Sequence, residues 1–256
     1  MAFLAPALST PLLKVPLLLG HAVWTYHGMT PPKPPAHAAE LKRIGSTPDF
    51  LSKSRFPNFL RACSATAKLV LCSIALTEAA VLLAQHYPSS PLSSRLLRDV
   101  ARLLPTNPAP SLPLQLTPLS ALACALGIAG GAIRGWCHHT LGRFFTWEVA
   151  VRDGHELVTS GPYALVRHPS YTGWLLLMAG NFLLLASPHS LSSEAGLWRS
   201  AAGRAVAGTL MGYLGWVTVH LIRRTASEDE ILRNEFGARW DEWAGRTPYR
   251  LIPFVY

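Results

Sequence analysis

Long apolar runs alternate with short polar segments along this chain of 256 residues. Three of the runs contain no Asp, Glu, Lys or Arg: residues 103–133, 168–193 and 205–222. A helix needs about 20 apolar residues to cross the hydrocarbon core of a bilayer, so each run is long enough for one. The pattern predicts an all-α integral membrane protein with about five transmembrane helices, near Leu8–Tyr26, Leu69–Gln85, Leu116–Ile133, Gly173–Ser187 and Ala205–Ile222.

The first of these segments is the weakest candidate, because Pro11, Lys14 and Pro16 interrupt its apolar run. It lacks the basic region that precedes the apolar core of a secretory signal peptide, so it is interpreted as a retained anchor. The fourth segment is short for a full crossing, which indicates a tilted helix or one drawn into the bundle.

The positions of Lys and Arg predict how the spans are oriented, because cytosolic loops carry the positive excess. Five spans with a cytosolic C-terminus put 16 Lys and Arg residues in the cytosol, Arg134 among them. The opposite side receives only Arg95, Arg98, Arg102, Arg199 and Arg204. The prolines that follow Arg102 predict an extended connector there.

The composition agrees with a membrane protein. Hydrophobic residues make up 50% of the chain and charged residues only 14%, against about 25% charged in a soluble domain. The net charge of +9 comes from residues that border apolar spans, which favours anionic lipid head groups over nucleic acid as the partner. The four cysteines lack CxxC spacing, so packing is favoured over disulfides or a metal site: Cys63, Cys72, Cys124 and Cys137.

Two spans carry small residues at helical spacing. Gly127, Gly131 and Gly135 recur every four residues in the third span, as do Gly208 and Gly212 in the last. Such spacing predicts two smooth helix faces that allow close packing.

Glu78 is the one acidic residue inside a predicted span, where a carboxylate is costly unless paired or protonated. Its pattern allows either a functional role or an interhelical hydrogen bond, and we place it outside the predicted site.

The densest polar segment between spans runs from His155 to Gly173. Gly161-Pro162 marks a turn, and Pro169 restricts the residue before it to extended geometry, so two bends are expected. A bent loop of this kind can wrap a polar nucleotide-like ligand. An interfacial belt without a ligand, in which aromatic and basic residues collect at the head-group level, explains the same composition.

A second polar segment follows the last span. If the helix continues beyond the membrane, Arg224 and Glu228 lie four residues apart on one face. They are either a solvated ion pair worth about 0.3–0.5 kcal/mol, or a fork for an anionic substrate beside an anchor for a cationic ligand.

Together the two segments resemble the isoprenylcysteine carboxyl methyltransferase family, in the C-terminal half of the chain. The matching motifs are His155-x-Leu157-Val158, Gly161-x-Tyr163, Arg167-His168-Pro169-Ser170-Tyr171-x-Gly173, Arg224-x-x-x-Glu228-Asp229-x-x-Leu232 and Phe236-Gly237. The resemblance implies a methyltransferase core in residues 114–256, preceded by N-terminal spans and connectors in residues 1–113, within a single membrane domain. It also implies the endoplasmic reticulum membrane, with a cytosolic cofactor pocket between the loop before the fourth span and the C-terminal helix.

Carried over residue by residue, the resemblance implies an S-adenosylmethionine site and a substrate residue. The residues implied to hold the cofactor are His155, Glu156, Leu157, Val158, Tyr163, His168, Pro169, Ser170, Tyr171, Glu228 and, where the family usually has an amide, Glu148. Arg224 is implied to hold the substrate, the C-terminal carboxylate of a prenylated CaaX-type protein after proteolysis.

The chemistry of that reaction fits these residue types. An α-carboxyl group has a pKa of about 3.5, so the carboxylate is ionised at neutral pH and attacks the methyl sulfonium without a general base. The enzyme must supply position, and the planar fork of Arg224 can orient a carboxylate bidentately. Glu228 can bind the ammonium of the cofactor, and the rings of Tyr163 and Tyr171 can contact its cation.

Three other functions remain open on the sequence alone. A phospholipid N-methyltransferase would need a base near the methyl group, whereas Arg224 favours a carboxylate substrate. A nicotinamide-dependent oxidoreductase is suggested by the segment from Trp240 to Pro253, which resembles the end of the membrane sterol reductases. The third is a structural membrane protein whose polar loop is only an interfacial belt.

Overall fold

The computed structural model describes residues 11–32, 57–103, 112–146 and 152–255. Within these ranges the protein is helical and contains no β-strand, which confirms the predicted all-α class. The α-helices are α1 Lys14–Gly28, α2 Pro57–His86, α3 Pro91–Leu103, α4 Pro118–Leu141, α5 Pro169–Ala186, α6 Leu191–Glu194, α7 Ala201–Phe236 and α8 Ala238–Arg246. Four of them begin at proline, a residue whose missing N–H and fixed φ suit the first helical position.

Four described segments are long and apolar enough to cross a membrane: Asn58–His86, Pro118–Phe144, Pro169–Glu194 and Ala201–Phe236. They correspond to the last four predicted spans. The first predicted span overlaps α1, which has only 15 residues. At 1.5 Å per residue this helix is about 22 Å long, short of a hydrocarbon core of about 30 Å.

Chain contacts divide the protein into two compact units. The first consists of residues up to Tyr26, Thr66–Ala129 and Leu176–Leu214. Its apolar core packs α1 against α2, α4 and α5 through Leu18, Ala75 and Leu184, among others. In the same unit Asn181 contacts the ring of His21 at 3.2 Å and donates to the hydroxyl of Thr25 at 3.2 Å, so α1 is also held by polar contacts.

Helices α4 and α5 approach each other at glycines in the first unit. A Cβ atom on Gly180 would lie 2.5 Å from the backbone nitrogen of Gly127 and 2.6 Å from the carbonyl oxygen of Ala123. The predicted smooth face of the third span is therefore a contact surface. On the second predicted face, a Cβ on Gly208 or Gly212 would meet no described atom within 4 Å, so the described residues leave that prediction untested.

The second unit consists of His27–Ala65, Gly130–Leu175 and Gly215–Tyr256. Its central cation is Arg134, which lies buried in α4 rather than in the cytosolic loop predicted for it. Its guanidinium donates to the carbonyl of Gly28 at 2.6 Å and to the carbonyl and hydroxyl oxygens of Ser170 at 3.0 Å each. Arg134 thus fixes the first turn of α5, where the polar loop ends.

Candidate functional site

The polar loop turns where the sequence predicted. Gly161 adopts a positive φ of 60°, a conformation that favours glycine, and it opens a short 3₁₀ helix, Gly161–Ala164. Tyr163 in this turn is buried against Cys137 and Trp243, and the indole of Trp243 donates to the carbonyl of Tyr163 at 3.2 Å. Burial raises the pKa of the Tyr163 hydroxyl well above its usual range, so the ring stays neutral.

Asp229 is the ionic centre of the second unit. One carboxylate oxygen accepts from His168 Nε2 at 2.9 Å, and the other accepts from Arg250 Nε at 3.0 Å and lies 3.2 Å from Arg167 Nη2. Three groups from the loop and from the segment after α8 therefore converge on one buried acid of α7.

Residues 247–251, here called the strap, complete the loop. The backbone N–H groups of Arg167 and His168 donate to the carbonyls of Tyr249 and Arg250 at 2.9 and 2.8 Å. The hydroxyl of Thr172 donates to the carbonyl of Leu251 at 2.6 Å, and the Arg167 side chain donates to two further strap carbonyls at 3.0 and 3.2 Å. The loop backbone immediately before α5 is thereby paired with the strap.

Glu228 presents a carboxylate beside this framework. Tyr171 Oη donates to Glu228 Oε2 at 2.7 Å, and His168 Nδ1 lies 4.0 Å from the same oxygen. The side chain of Glu228 is 30% exposed, whereas Arg224 is buried one helical turn earlier. Because α7 runs unbroken to Phe236, the two residues share a helix face as predicted.

His155 occupies an aromatic setting. Its ring stacks on Phe144 with centroids 4.8 Å apart and meets the edge of Phe236 at 5.7 Å. Burial lowers its pKa despite the nearby Glu228 and Glu235 carboxylates, so the ring is neutral at pH 7. Its Nδ1 atom is buried and has no hydrogen-bond partner among the described residues, which is the kind of group that a ligand hydrogen bond satisfies.

The structure brings some predicted site residues together and gives others packing roles. His168, Tyr171 and Glu228 form one polar cluster. Leu157 and Val158 pack against the cluster around Tyr163, and Ser170 contacts Arg134. Glu156 is exposed. Glu148 lies outside the described residues.

Sequence reasoning missed the ionic partners of Asp229 and the strap. The relevant contacts join residues 21 to 82 positions apart, so no local periodicity reveals them. Arg167 and Asp229 belong to the matching motifs, which give no partner for either residue, and Arg250 belongs to none of them.

The fold and site define a multi-span helical membrane protein in which a loop, a helix end and a strap converge on two adjacent acids. Residues 122–199 match the model of the isoprenylcysteine carboxyl methyltransferase family. This match confirms the resemblance read from the motifs, and it contains the polar loop but ends before Arg224 and Glu228.

Curated relatives extend the likeness. Protein-S-isoprenylcysteine O-methyltransferase B of Arabidopsis thaliana is 30% identical over 140 residues, which are 54% of this chain and 60% of that relative. Protein-S-isoprenylcysteine O-methyltransferase of Homo sapiens is 31% identical over 144 residues, 55% of this chain and 43% of the relative. A delta(14)-sterol reductase of Mus musculus is 29% identical over 108 residues, 42% of this chain and 22% of that protein. No solved structure matches the chain significantly.

Proposed function

We propose that this protein methylates the C-terminal carboxylate of prenylated cysteine, with S-adenosylmethionine as the methyl donor. The observation that carries the proposal is the hydrogen bond from Tyr171 to Glu228, because it joins the loop to the helix turn that also bears Arg224. In this proposal Glu228 would bind the cationic cofactor and Arg224, one turn earlier on the same helix, would bind the anionic substrate.

The residues present fit the proposed cofactor. When bound, S-adenosylmethionine supplies an electrophilic methyl group on a sulfonium. Glu228 offers a part-exposed carboxylate to the ammonium of its methionine portion. His155 offers a buried ring nitrogen that lacks a partner among the described residues, together with the aromatic surface of Phe144, to a purine. These features suit a cation and a planar base, which are two of the groups that S-adenosylmethionine presents.

Arg224 would orient the substrate. Its fork can hold one carboxylate oxygen while the other lies in line with the methyl carbon. S-adenosylmethionine, held by Glu228 and His155, would supply its methyl group to that oxygen, and the electron pair of the broken C–S bond would stay on sulfur. No proton moves, so a site without a general base at the methyl group is sufficient.

The prenyl chain would lie among the apolar spans and reach them from the lipid, which explains why the reaction belongs to a membrane protein. In this proposal the protein is a multi-pass protein of the endoplasmic reticulum, its site faces the cytosol, and its substrates are prenylated CaaX proteins after proteolysis.

The sterol reductase likeness favours a second candidate function, a nicotinamide-dependent reduction. The segment from Trp240 to Pro253, which resembles the end of the sterol reductases, includes the strap and part of α8, and both are bonded to the polar loop. The two candidates thus make use of the same unit and differ in the cofactor that it binds.

Cofactor titration of purified protein in detergent separates the candidates. The proposal expects S-adenosylmethionine to bind and radiolabelled methyl to appear on farnesylcysteine. Transfer only to phosphatidylethanolamine would identify a phospholipid methyltransferase. Binding of reduced nicotinamide without binding of S-adenosylmethionine would identify a reductase. Binding of neither cofactor would favour a structural membrane protein whose polar loop holds no ligand.

A further inference from the structure

We propose that Asp229 is a positioning residue that makes Nδ1 of His168 a hydrogen-bond acceptor, and that this atom and Glu228 together hold the α-ammonium of the cofactor. The inference rests on the proposed function and assigns an atom-level role within its site.

The His168 ring is hydrogen-bonded to Asp229 through its Nε2 atom. Nε2 lies 2.9 Å from Asp229 Oδ1, in a buried contact. An ionised carboxylate only accepts hydrogen bonds, so Nε2 must carry the proton and donate it. When Nε2 carries the only ring proton, the other nitrogen, Nδ1, is a lone-pair acceptor.

Asp229 is held in place as a carboxylate by two arginines. Arg167 and Arg250 approach its second oxygen at 3.2 and 3.0 Å. Two guanidinium groups stabilise the negative charge and leave the first oxygen to His168. The backbone N–H of His168 also donates to the strap, so the residue is fixed at both its backbone and its ring.

The Nδ1 atom of His168 lies near the Glu228 carboxylate. It is 4.0 Å from Glu228 Oε2, too far for a direct hydrogen bond. Two acceptors at this separation suit one donor group placed between them that gives a hydrogen bond to each. A primary ammonium has three N–H donors and a positive charge, whereas a neutral alcohol offers only one donor and no charge. The pair therefore selects for an ammonium.

The test compares two ligands that differ in this group. S-adenosylhomocysteine carries the amino acid portion, and 5′-methylthioadenosine lacks it. The variants are Asp229→Asn, His168→Gln and their combination, measured by calorimetry on the full chain in detergent. Glutamine at 168 keeps an amide N–H for Asp229 but offers no acceptor at the position of Nδ1. Asp241→Asn is the matched control, since Asp241 forms an exposed ion pair with Arg233 at 2.8 Å.

Each single variant is expected to lower the affinity for S-adenosylhomocysteine by about tenfold to a hundredfold, the range for one hydrogen bond to a charged group. The affinity for 5′-methylthioadenosine is expected to be unchanged. Because Asp229 acts through His168, the double variant should be no weaker than His168→Gln alone.

Equal weakening of both ligands in Asp229→Asn and in His168→Gln would overturn the inference in favour of a purely structural role. Normal affinity for S-adenosylhomocysteine in both variants would also overturn it while the proposed function stands. Wild-type protein that binds neither ligand would overturn the proposed function itself.

Discussion

Lys14 and Glu78 form an ion pair that is closed to solvent, with Nζ 2.5 Å from Oε1 and both side chains 0% exposed. Lys14 also donates to the carbonyls of Gln115 and His189 at 2.8 and 3.1 Å. The second oxygen of Glu78 accepts from the backbone N–H of Leu191 at 3.0 Å. The pair therefore ties together four separated parts of the first unit.

Lys14→Met should destabilise the protein strongly, because it leaves the Glu78 carboxylate buried without its cation. Breaking a buried pair on one side costs about 3–5 kcal/mol. Thermal unfolding in detergent measures the loss. Replacing both partners, with Lys14→Met and Glu78→Leu, should recover part of it, and a double variant less stable than the single one would show that the charges themselves are not the source of the effect.

Gly180→Ala should lower stability by about 1–3 kcal/mol, the usual cost of overpacking, because the added carbon would meet the backbone of α4. Gly208→Ala is the matched control on a face with no described atom nearby, and alanine favours a helix over glycine. Thermal unfolding should rank the proteins as Gly180→Ala below wild type and Gly208→Ala at or above it. The reverse order would contradict the packing of α4 on α5.

Arg224→Ala should reduce methyl transfer to farnesylcysteine by about a hundredfold or more while the affinity for S-adenosylmethionine stays within a few-fold. Glu228→Ala should instead lower the affinity for the cofactor by about tenfold or more. Calorimetry and a radiolabel transfer assay measure the two effects. Arg239→Gln, on an exposed position of α8, is the control. Equal and mild effects of both alanine variants would contradict the separate roles proposed for Arg224 and Glu228.

Acidification should destabilise the protein partly through His155. Burial lowers the folded-state pKa of this ring below its ordinary value of 6.5. Between the two values the unfolded chain binds a proton that the folded chain does not, so stability rises with pH in that window and falls as the pH drops below about 6.5. Unfolding measured from pH 7 to pH 5 should show a smaller loss in His155→Gln. Identical slopes in the two proteins would exclude His155 as a contributor.

Apolar patterning located the last four spans, because uncharged runs of sufficient length have few alternatives to a membrane helix. The same reasoning treated Lys14 only as an interruption, since its partner Glu78 lies 64 positions away. The amphipathic helix α3 was not predicted, because its 13 residues are too few and too charged for a span. Its apolar face consists of half-buried Leu96, Leu97 and Val100, beside exposed arginines.

The candidate site likewise has features that the motifs predicted and features that they did not. Tyr171 and Glu228 followed from motifs, and their hydrogen bond supports that pairing. The roles of Asp229 and Arg134 depend on contacts with residues far along the chain. Such contacts are fixed by tertiary packing, and a single sequence does not display them.

The strap also sets the timing of assembly. Arg167 and His168 leave the ribosome long before Tyr249 and Arg250, whose carbonyls they need. Until translation has passed Leu251, these two N–H groups lack their acceptors and Arg250 is not yet present to face Asp229. A chain that stopped after α8 could hold all of its spans and every residue named in the loop, yet it would lack the backbone partners of that loop. The site would thus be complete only in a chain whose synthesis had passed the strap.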